Sequence, residues 1–309
     1  VVVVTGASSG IGRVAAQLFA RRRAKLVLAA RSASALEGVV ELCTRAGAEA
    51  IAVPTDVRDE AQILKLRDAA VERFGRIDVW VNDAAAYVLG SLEDVPAHVV
   101  RELFETNVMG YLHGAKAALS QFRKQGQGTL ISVGSVAGKV PYAKASAYCA
   151  TKHAIHAMLT ALRQELVGTS IQSCIVAPAT VDTPLFDHAA NFTGLELKAM
   201  PPVYPAHRVA RAIVRCAESP RREVLVGGAP RMMSLFSVLL PWLFERLEPR
   251  LVERQHLGSA PSPRTTGNLD QSLPPYADEA GWKRGRKGVH GPLPEGGVPH
   301  ALEAAATGE

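Results

Sequence analysis

Short runs of apolar and β-branched residues alternate with longer segments of helical periodicity between residues 1 and 226. Most of these runs are apolar throughout, which is typical of strands that helices cover on both faces. The alternation predicts βαβ units in an α/β fold, with one doubly wound, seven-stranded parallel sheet and helices on both faces. The predicted strands are Val1–Val4, Lys25–Ala29, Ala50–Val53, Ile77–Val81, Gly128–Val133, Ile171–Ala177 and Glu223–Val226.

The segments between the strands carry apolar residues at the spacing of amphipathic helices. The predicted helices are Gly10–Arg22, Ser34–Ala46, Asp59–Phe74, His98–Arg123, Ala147–Val167 and Pro205–Glu218. One connection breaks this pattern, because residues 178–205 contain five prolines and show no clean periodicity. A long irregular loop in a compact domain is often functional, so we expect this loop beside the site.

The chain divides into three predicted parts: a domain of residues 1–228, a helical extension of residues 229–255 and a tail of residues 256–309. The tail holds seven prolines and nine glycines among its 54 residues, a composition that favours disorder. Within the extension, residues 232–254 combine apolar and arginine side chains. That mixture suits closure of a site, a subunit contact or contact with a membrane surface.

Composition narrows the class of protein. With 309 residues, 48% hydrophobic and 21% charged, the chain can bury a substantial core and is not disordered as a whole. Its net charge of +6 is spread out, with short clusters such as Lys283 to Lys287, so we expect no nucleic-acid partner. Four widely spaced cysteines predict reduced thiols, not a disulfide framework or zinc site. The given sequence shows no signal peptide or spanning apolar run, and the expected location is cytoplasmic.

A glycine-rich motif lies between the first predicted strand and the first predicted helix. Its glycines, Gly6, Gly10 and Gly12, follow the spacing G-x-x-x-G-x-G. Glycine lets a backbone turn tightly and approach a pyrophosphate, whose charge then lies at the positive N-terminus of the helix. The motif predicts a dinucleotide site, and the alternative is a plain strand-to-helix turn. The candidate residues are Gly6, Ser8, Ser9, Gly10, Ile11 and Gly12.

A tyrosine and a lysine, Tyr148 and Lys152, stand four residues apart near the start of a long predicted helix. Residues at this spacing share one face of a helix, so the ammonium group can lie near the phenol. An ordinary phenol has a pKa of about 10, and a nearby cation favours its ionised form. The pair therefore predicts a general acid and base, while the alternative is a surface pair with no role.

Two further residues complete an ordered set. Ser135 follows the fifth predicted strand, and Asn107 lies within the fourth predicted helix. With the glycine motif and the Tyr148/Lys152 pair, they resemble the short-chain dehydrogenase/reductase family over residues 1–226. The resemblance implies a Rossmann fold. It also implies that Tyr148 exchanges a proton with the substrate oxygen, and that Ser135 hydrogen-bonds the same oxygen.

The resemblance further implies that Lys152 lowers the pKa of Tyr148 and binds the nicotinamide ribose, and that Asn107 helps to hold a proton-relaying water. Asp56 resembles the adenine-contacting residue of the family, although it could instead cap the following helix. The remaining implied cofactor contacts are Val57, Asn82, Ala84, Val181 and Thr183.

Two stretches depart from the family pattern. The chain has Asn82-Asp83-Ala84-Ala85 where Asn-Asn-Ala-Gly is usual, and Ala179 follows Pro178 where glycine is usual. Ala85 adds a methyl group, and Asp83 adds a negative charge, where the backbone passes the cofactor. We expect these changes to tune cofactor binding and not to abolish activity.

The end of the second predicted strand bears on the choice of cofactor. An acidic side chain there would accept hydrogen bonds from a ribose 2′-hydroxyl, whereas a basic one would pair with a 2′-phosphate. This chain has Arg31 and no carboxylate, and Arg13 follows the glycine motif. Two guanidinium groups suit a phosphate, so the sequence predicts NADP(H). The alternative is that both arginines are solvated surface charges.

The expected activity is hydride transfer between NADP(H) and a secondary alcohol or carbonyl. Apolar residues of the 178–205 loop favour a hydrophobic substrate, and the resemblance implies a homodimer or homotetramer. Two alternatives stay open: a non-catalytic dinucleotide sensor or scaffold, and a membrane-peripheral reductase of lipid or steroid-like substrates. His153 and His156 have no ligand partner at metal spacing in the sequence, so no metal is expected.

Overall fold

The computed structural model describes residues 1–228, 236–237 and 239–282. Its centre is a seven-stranded sheet in which every neighbouring pair of strands is parallel. The strand order is β12-β7-β6-β4-β1-β2-β3, so the order reverses direction at β1 and confirms the predicted doubly wound sheet. These strands are β1 (Val2–Thr5), β2 (Leu26–Ala30), β3 (Ala50–Pro54), β4 (Val79–Asn82), β6 (Gln127–Val133), β7 (Ser170–Pro178) and β12 (Glu223–Val226).

Helices cover both faces of this sheet and create two separate cores. Side chains of α1, α2 and α7 pack on one face, and side chains of α3, α5 and α6 pack on the other. Burial on both faces explains why the strands are apolar throughout. The helices are α1 (Gly10–Ala20), α2 (Ala33–Arg45), α3 (Glu60–Phe74), α4 (Ala97–Phe104), α5 (Gly110–Gln125), α6 (Ser146–Glu165), α7 (Ala206–Glu218) and α8 (Pro241–Gln255).

The predicted helix His98–Arg123 differs from the observed one in the middle. Its helical path contains α4, then five residues of π-helix at Glu105–Met109, then α5. The π-helix includes Asn107, which is fully buried. Single π turns inside α-helices often accompany functional sites, because the extra residue re-aims a side chain.

Short strands organise the loop between β7 and α7. β8 (Val181–Asp182) pairs with β11 (Tyr204–Pro205), and β9 (Ala190–Asn191) pairs with β5 (Val88–Leu89). β10 (Leu195–Leu197) pairs with β13 (Leu257–Pro261), which belongs to the C-terminal region. The loop is therefore fastened both to the main domain and to the end of the chain.

The C-terminal region departs from the expected disorder over residues 256–282. Besides β13, it contains the buried side chains of His256, Leu257 and Leu269. Its proline- and glycine-rich composition is compatible with an extended path that hydrogen-bonds to the domain and needs no periodicity of its own. Residues 229–235, 238 and 283–309, including the Lys283 to Lys287 cluster, lie outside the described residues. In the described part of the chain, no helix is long and apolar enough to cross a membrane.

Candidate functional site

The four candidate residues of a proton-transfer set, Asn107, Ser135, Tyr148 and Lys152, come from three elements near the carboxyl ends of the strands. Ser135 lies just beyond β6, Tyr148 and Lys152 lie on the first turns of α6, and Asn107 lies in the π turn. Ligands of doubly wound sheets bind at this edge, near the point where the strand order reverses.

Tyr148 and Lys152 are both buried, which rules out the alternative of a solvated surface pair. The Lys152 Nζ lies 5.7 Å from the centroid of the Tyr148 ring and 5.3 Å from that of Tyr111. It donates a hydrogen bond to the Val133 carbonyl at 3.3 Å. Burial raises the pKa of Tyr148, and a hydrogen bond with the Ser135 side chain opposes that rise. Serine, phenol and ammonium thus share one buried location.

Asp83 adds a charge to this location. Burial lowers the pKa of Lys152 to about 8, and the Asp83 carboxylate works against that decrease. Burial also raises the pKa of Asp83 to about 7, opposed by Lys152 and by a hydrogen bond from the Gly12 backbone. Asp83, one of the residues that depart from the family pattern, therefore interacts electrostatically with Lys152.

Asn107 organises the chain around the site. Its Oδ1 accepts a hydrogen bond from the Ala86 backbone N–H at 2.8 Å. Its Nδ2 donates to the Ala86 carbonyl at 3.0 Å and to the Thr151 hydroxyl at 3.2 Å. These bonds join the chain beyond β4 to α6, which carries Tyr148 and Lys152.

The glycine motif forms a tight cradle, which tests whether a dinucleotide fits. Gly6 has a φ of +70°, and a Cβ there would lie 2.7 Å from the Ala84 backbone nitrogen. A Cβ on Gly12 would lie 2.5 Å from the Gly6 carbonyl oxygen. Side chains are excluded at both positions, so the backbone can approach a phosphate at the N-terminus of α1. The chain fits the group that its motif predicts.

One cavity of about 290 Å³ runs from this cradle to Tyr148. Its lining contains most of the predicted site residues: Gly6, Ser8, Ser9, Gly10, Ile11, Arg31, Asp56, Val57, Ala84, Ser135, Tyr148, Lys152, Val181 and Thr183. The other predicted residues, Gly12, Arg13, Asn82 and Asn107, stand outside the lining. Asn82 is buried behind it, where it accepts from Trp80 Nε1 and donates to the Tyr111 carbonyl.

Asp56 does not cap the next helix. Asp59 takes that role, since its carboxylate accepts from the backbone N–H groups of Ala61 and Gln62. Asp56 instead pairs with Arg58 at 2.6 Å, and Arg58 also pairs with Glu102 at 2.7 Å. This network fixes the Asp56 carboxylate at the edge of the cavity.

Residues 268–282, which we call the strap, lie across the cofactor end of the cavity. The Arg31 guanidinium donates to the carbonyls of Asn268 at 2.6 Å and Leu269 at 3.0 Å. Arg13 donates to the Tyr276 carbonyl and pairs with Asp278 at 3.0 Å. Both arginines therefore contact the strap, and Arg31 alone of the two also lines the cavity.

An aromatic wall faces Tyr148 at the other end. The Tyr87 ring meets the Tyr148 ring edge-on, with centroids 4.7 Å apart. The Tyr87 hydroxyl lies 2.6 Å from His256 Nε2 and 3.1 Å from the Tyr142 hydroxyl. Because His256 Nδ1 faces the Lys198 carbonyl, that nitrogen carries the proton and Nε2 accepts from Tyr87.

Sequence reasoning missed the aromatic wall and the strap. Tyr87 follows β4, and its position just beyond a strand's carboxyl end was a usable signal. His256 offered none, because it stands 169 residues away from its partner. For metal binding, no group of three or more His, Cys, Asp or Glu residues in the described ranges is arranged around a common point.

Comparisons with known proteins agree with this geometry. A family model described as short chain dehydrogenase matches residues 1–192. An uncharacterized oxidoreductase, YxnA of Bacillus subtilis, is 32% identical over 296 residues, covering 93% of this chain and 83% of that protein. The ketoacyl reductase HetN of a Nostoc species is 30% identical, covering 82% and 86% of the two chains.

Solved structures give the same result. A short-chain dehydrogenase/reductase from Burkholderia phymatum, in complex with NAD, has a TM-score of 0.70 at 26% identity and covers 85% of this chain and 96% of its own. An alcohol dehydrogenase from Thermococcus sibiricus, complexed with 5-hydroxy-NADP, has a TM-score of 0.63 at 26% identity, covering 72% and 94%. With its fold, its ordered site residues and these relatives, the chain belongs to the short-chain dehydrogenase/reductase family of oxidoreductases.

Proposed function

We propose that the protein transfers a hydride between NADP(H) and a secondary alcohol or carbonyl, with Tyr148 as general acid and base. One observation carries the proposal. Ser135, Tyr148 and Lys152 meet at one end of a cavity whose other end is the glycine cradle and Arg31. The cavity thus joins a proton donor to a place for a dinucleotide phosphate.

The bound nicotinamide supplies or accepts the hydride. During reduction, Tyr148 gives its hydroxyl proton to the substrate oxygen, and Ser135 donates a hydrogen bond to that oxygen. The Lys152 ammonium favours the tyrosinate that results, because a nearby cation lowers the pKa of a phenol. In the oxidative direction Tyr148 takes the proton back from the alcohol.

The cofactor would contact the cavity at residues that its lining contains. The cradle would hold the pyrophosphate, Asp56 and Val57 the adenine, and Val181 and Thr183 the nicotinamide side, with Lys152 on the ribose. Asn107 would contribute by holding the backbone of Ala86 in place and by supporting a water in the proton path from Lys152.

The proposed substrate is a hydrophobic carbonyl compound or alcohol. The lining near Tyr148 includes Tyr142, Leu185, Phe186, Met200 and Leu251, which is a largely apolar and aromatic surface. These residues come from the 178–205 loop, the segment before α6 and α8, as the apolar residues of that loop led us to expect.

The proposed preference for NADP(H) depends on Arg31. It lines the cavity just beyond β2, and the end of β2 itself carries no carboxylate that could accept from a 2′-hydroxyl. Replacing Arg31→Leu removes a charge-assisted contact, and we expect kcat/KM for NADPH to fall about 30-fold while that for NADH changes less than threefold. Arg45→Leu, on the exposed surface of α2, is the matched control. Equal losses with both cofactors would contradict the preference.

A second proposal concerns α8. Its Trp242 and Leu247 side chains are 64% and 46% exposed, and Arg246 and Arg250 lie beside them in sequence. This surface supports contact with a membrane, in a peripheral reductase of lipid or steroid-like substrates, or with a second subunit of a cytoplasmic homodimer or homotetramer. Part of the predicted 232–254 segment, residues 232–235 and 238, lies outside the described residues.

The reductase proposal is tested by NADPH oxidation with aliphatic, aromatic and steroid-like ketones. We expect turnover by the wild type, and a loss of at least about 1,000-fold in Tyr148→Phe with NADPH binding retained. Tyr204→Phe, whose side chain lies outside the cavity lining, is the tyrosine control. Binding without turnover across the panel would favour the non-catalytic sensor or scaffold, an alternative that Ala85 and Ala179 keep open.

A further inference from the structure

The strap lies across the cofactor end of the cavity, and three of the places that fasten it bear on the cofactor. Near β2, Arg31 donates to carbonyls of the strap, as described above. Over the N-terminus of α1, the Gly10 backbone N–H donates to the Ala277 carbonyl at 2.8 Å. In β8, the Asp182 carboxylate accepts from the N–H groups of Ala280 and Trp282 at 3.1 and 2.9 Å.

The three fastening points correspond to the two ends and the middle of the proposed cofactor site. Arg31 marks the adenosine end, the N-terminus of α1 marks the pyrophosphate, and Asp182 stands between Val181 and Thr183 at the nicotinamide end.

Several anchors of the strap stand outside the cavity lining. Arg13, Gln17 and Asp182 are absent from the lining, and Gln17 Nε2 donates to Asp278 at 3.0 Å on the outer side of α1. The inner side of the strap does line the cavity, through Asn268, Ser272, Leu273 and Tyr276. The strap is thus held mainly at the rim, while over the cradle its Ala277 carbonyl accepts from the Gly10 N–H, a donor that a bound pyrophosphate would take over.

The inner side also presents a free acceptor. Asn268 Oδ1 is buried and has no hydrogen-bond partner in the described structure. A buried acceptor without a donor costs free energy unless a ligand supplies one. The ribose hydroxyls and the adenine amino group of a dinucleotide are donors of the required kind.

From this arrangement, and relying on the function proposed above, we propose that residues 268–282 form the outer wall of the dinucleotide site. The strap opens to admit the cofactor and then closes over it. Asn268 contacts the adenosine half, and the closed strap retains the cofactor between turnovers. The proposal assigns a cofactor-binding role to a region beyond the residues 1–192 that the family model matches.

The rate of cofactor release tests whether the strap forms the outer wall of the dinucleotide site. Asp278→Asn removes the ion pair to Arg13, and Asp278→Lys replaces it with repulsion; neither change touches the cavity lining. We expect the NADPH dissociation rate, measured by stopped-flow displacement with excess NADP⁺, to rise about threefold in Asp278→Asn and at least about tenfold in Asp278→Lys. The association rate should rise in parallel, because the strap opens more often.

The matched control is Asp68→Asn, which removes an exposed carboxylate of α3 that pairs with its neighbour Arg67. We expect it to leave both rate constants unchanged. If the strap forms the outer wall, release is faster in the Asp278 variants, because a weakened strap holds the bound cofactor less well. A strap that the cofactor must displace would instead give faster association with unchanged release and tighter binding, and that result would overturn the proposal.

Two further outcomes are decisive. Unchanged rates in both Asp278 variants, with normal NADPH binding by the wild type, would overturn the wall and leave the proposed oxidoreductase function standing. Failure of the wild type to bind NADPH or NADH in an equilibrium fluorescence titration would overturn both. Asn268→Ala adds a direct readout of contact, since loss of the proposed acceptor should weaken NADPH binding about fivefold at unchanged thermal stability.

Discussion

The floor of the cavity and the strap present opposite hydrogen-bonding groups to each other. The floor, meaning the cradle of residues 6–12 together with Arg31, presents donors and positive charge: backbone N–H groups at the start of α1 and a guanidinium. Toward the floor, the strap presents acceptors, namely main-chain carbonyls and the Asp278 carboxylate. Donors on the floor suit the phosphates of a dinucleotide, and the strap's carbonyls satisfy some of those donors in this structure.

The two regions also differ in how they tolerate change. The floor works through backbone geometry, so its glycines cannot be replaced. The strap works through contacts at its rim, and Leu269 is the one buried residue of the described range 268–282. Substitutions in the floor should therefore act on affinity, whereas substitutions in the strap should act mainly on rates.

The largest expected effect is on the floor. In Gly6→Ala the new Cβ would lie 2.7 Å from the Ala84 nitrogen, at a φ of +70°, so the cradle must distort. We expect NADPH affinity to fall at least about 100-fold, measured by fluorescence titration, with a lower melting temperature. Gly126→Ala is the matched control, because Gly126 has a φ of +80° but open space around it. It should lower stability alone; equal losses of affinity in the two variants would contradict the role of the cradle.

A smaller effect is expected at the aromatic wall, formed by Tyr87, Tyr142 and His256. Of these, His256 belongs to the same C-terminal region as the strap. His256→Phe removes the Nε2 acceptor of the buried Tyr87 hydroxyl and leaves it with the Tyr142 hydroxyl, so the Tyr87 hydroxyl shifts and disturbs the pocket beside Tyr148. We expect the substrate KM to rise about fivefold and kcat to change less than about threefold. The double variant with Tyr87→Phe removes that hydroxyl and should restore most of the loss. A double variant worse than the sum of the single ones would show that His256 does not act through Tyr87.

The smallest effect concerns Asp83, which stands between the floor and the proton-transfer set. Its pKa is about 7, so its carboxylate raises the pKa of Lys152 only above neutral pH. In Asp83→Asn that support is lost, the pKa of Lys152 falls below about 8, and the alkaline limb of kcat/KM moves to lower pH. We expect activity to match the wild type near pH 6 and to be reduced about threefold near pH 8. A profile displaced at acidic pH instead would contradict this assignment.

The contrast between floor and strap also explains what could be predicted from sequence. The fold and the floor depend on local signals: apolar strands, amphipathic helices, and glycines at fixed spacing between β1 and α1. The proximity of Tyr148 and Lys152 is likewise a local property, because residues four apart lie on the same face of one helix. For this reason most of the predicted site residues line one cavity, and the strand order matches the doubly wound sheet.

The strap could not be predicted, for a physical reason. Its carbonyls, which any residue supplies, meet Arg31 across 237 and 238 positions of sequence, so residue type carried no information. Its proline- and glycine-rich composition resembles that of a disordered segment. The π turn at Asn107 was hidden for a related reason, since it shifts the phase of the apolar pattern at a single point and no residue type marks that point.

The most direct test of a floor and a strap that close around one cofactor is hydrogen exchange with and without saturating NADPH. Peptides covering the cradle should exchange more slowly with NADPH in either case, which confirms binding. The account predicts that peptides covering residues 268–282 also exchange more slowly, because the strap gains contacts on its inner side. Faster exchange in those peptides while the cradle becomes protected would show that the cofactor expels the strap, and would contradict the account.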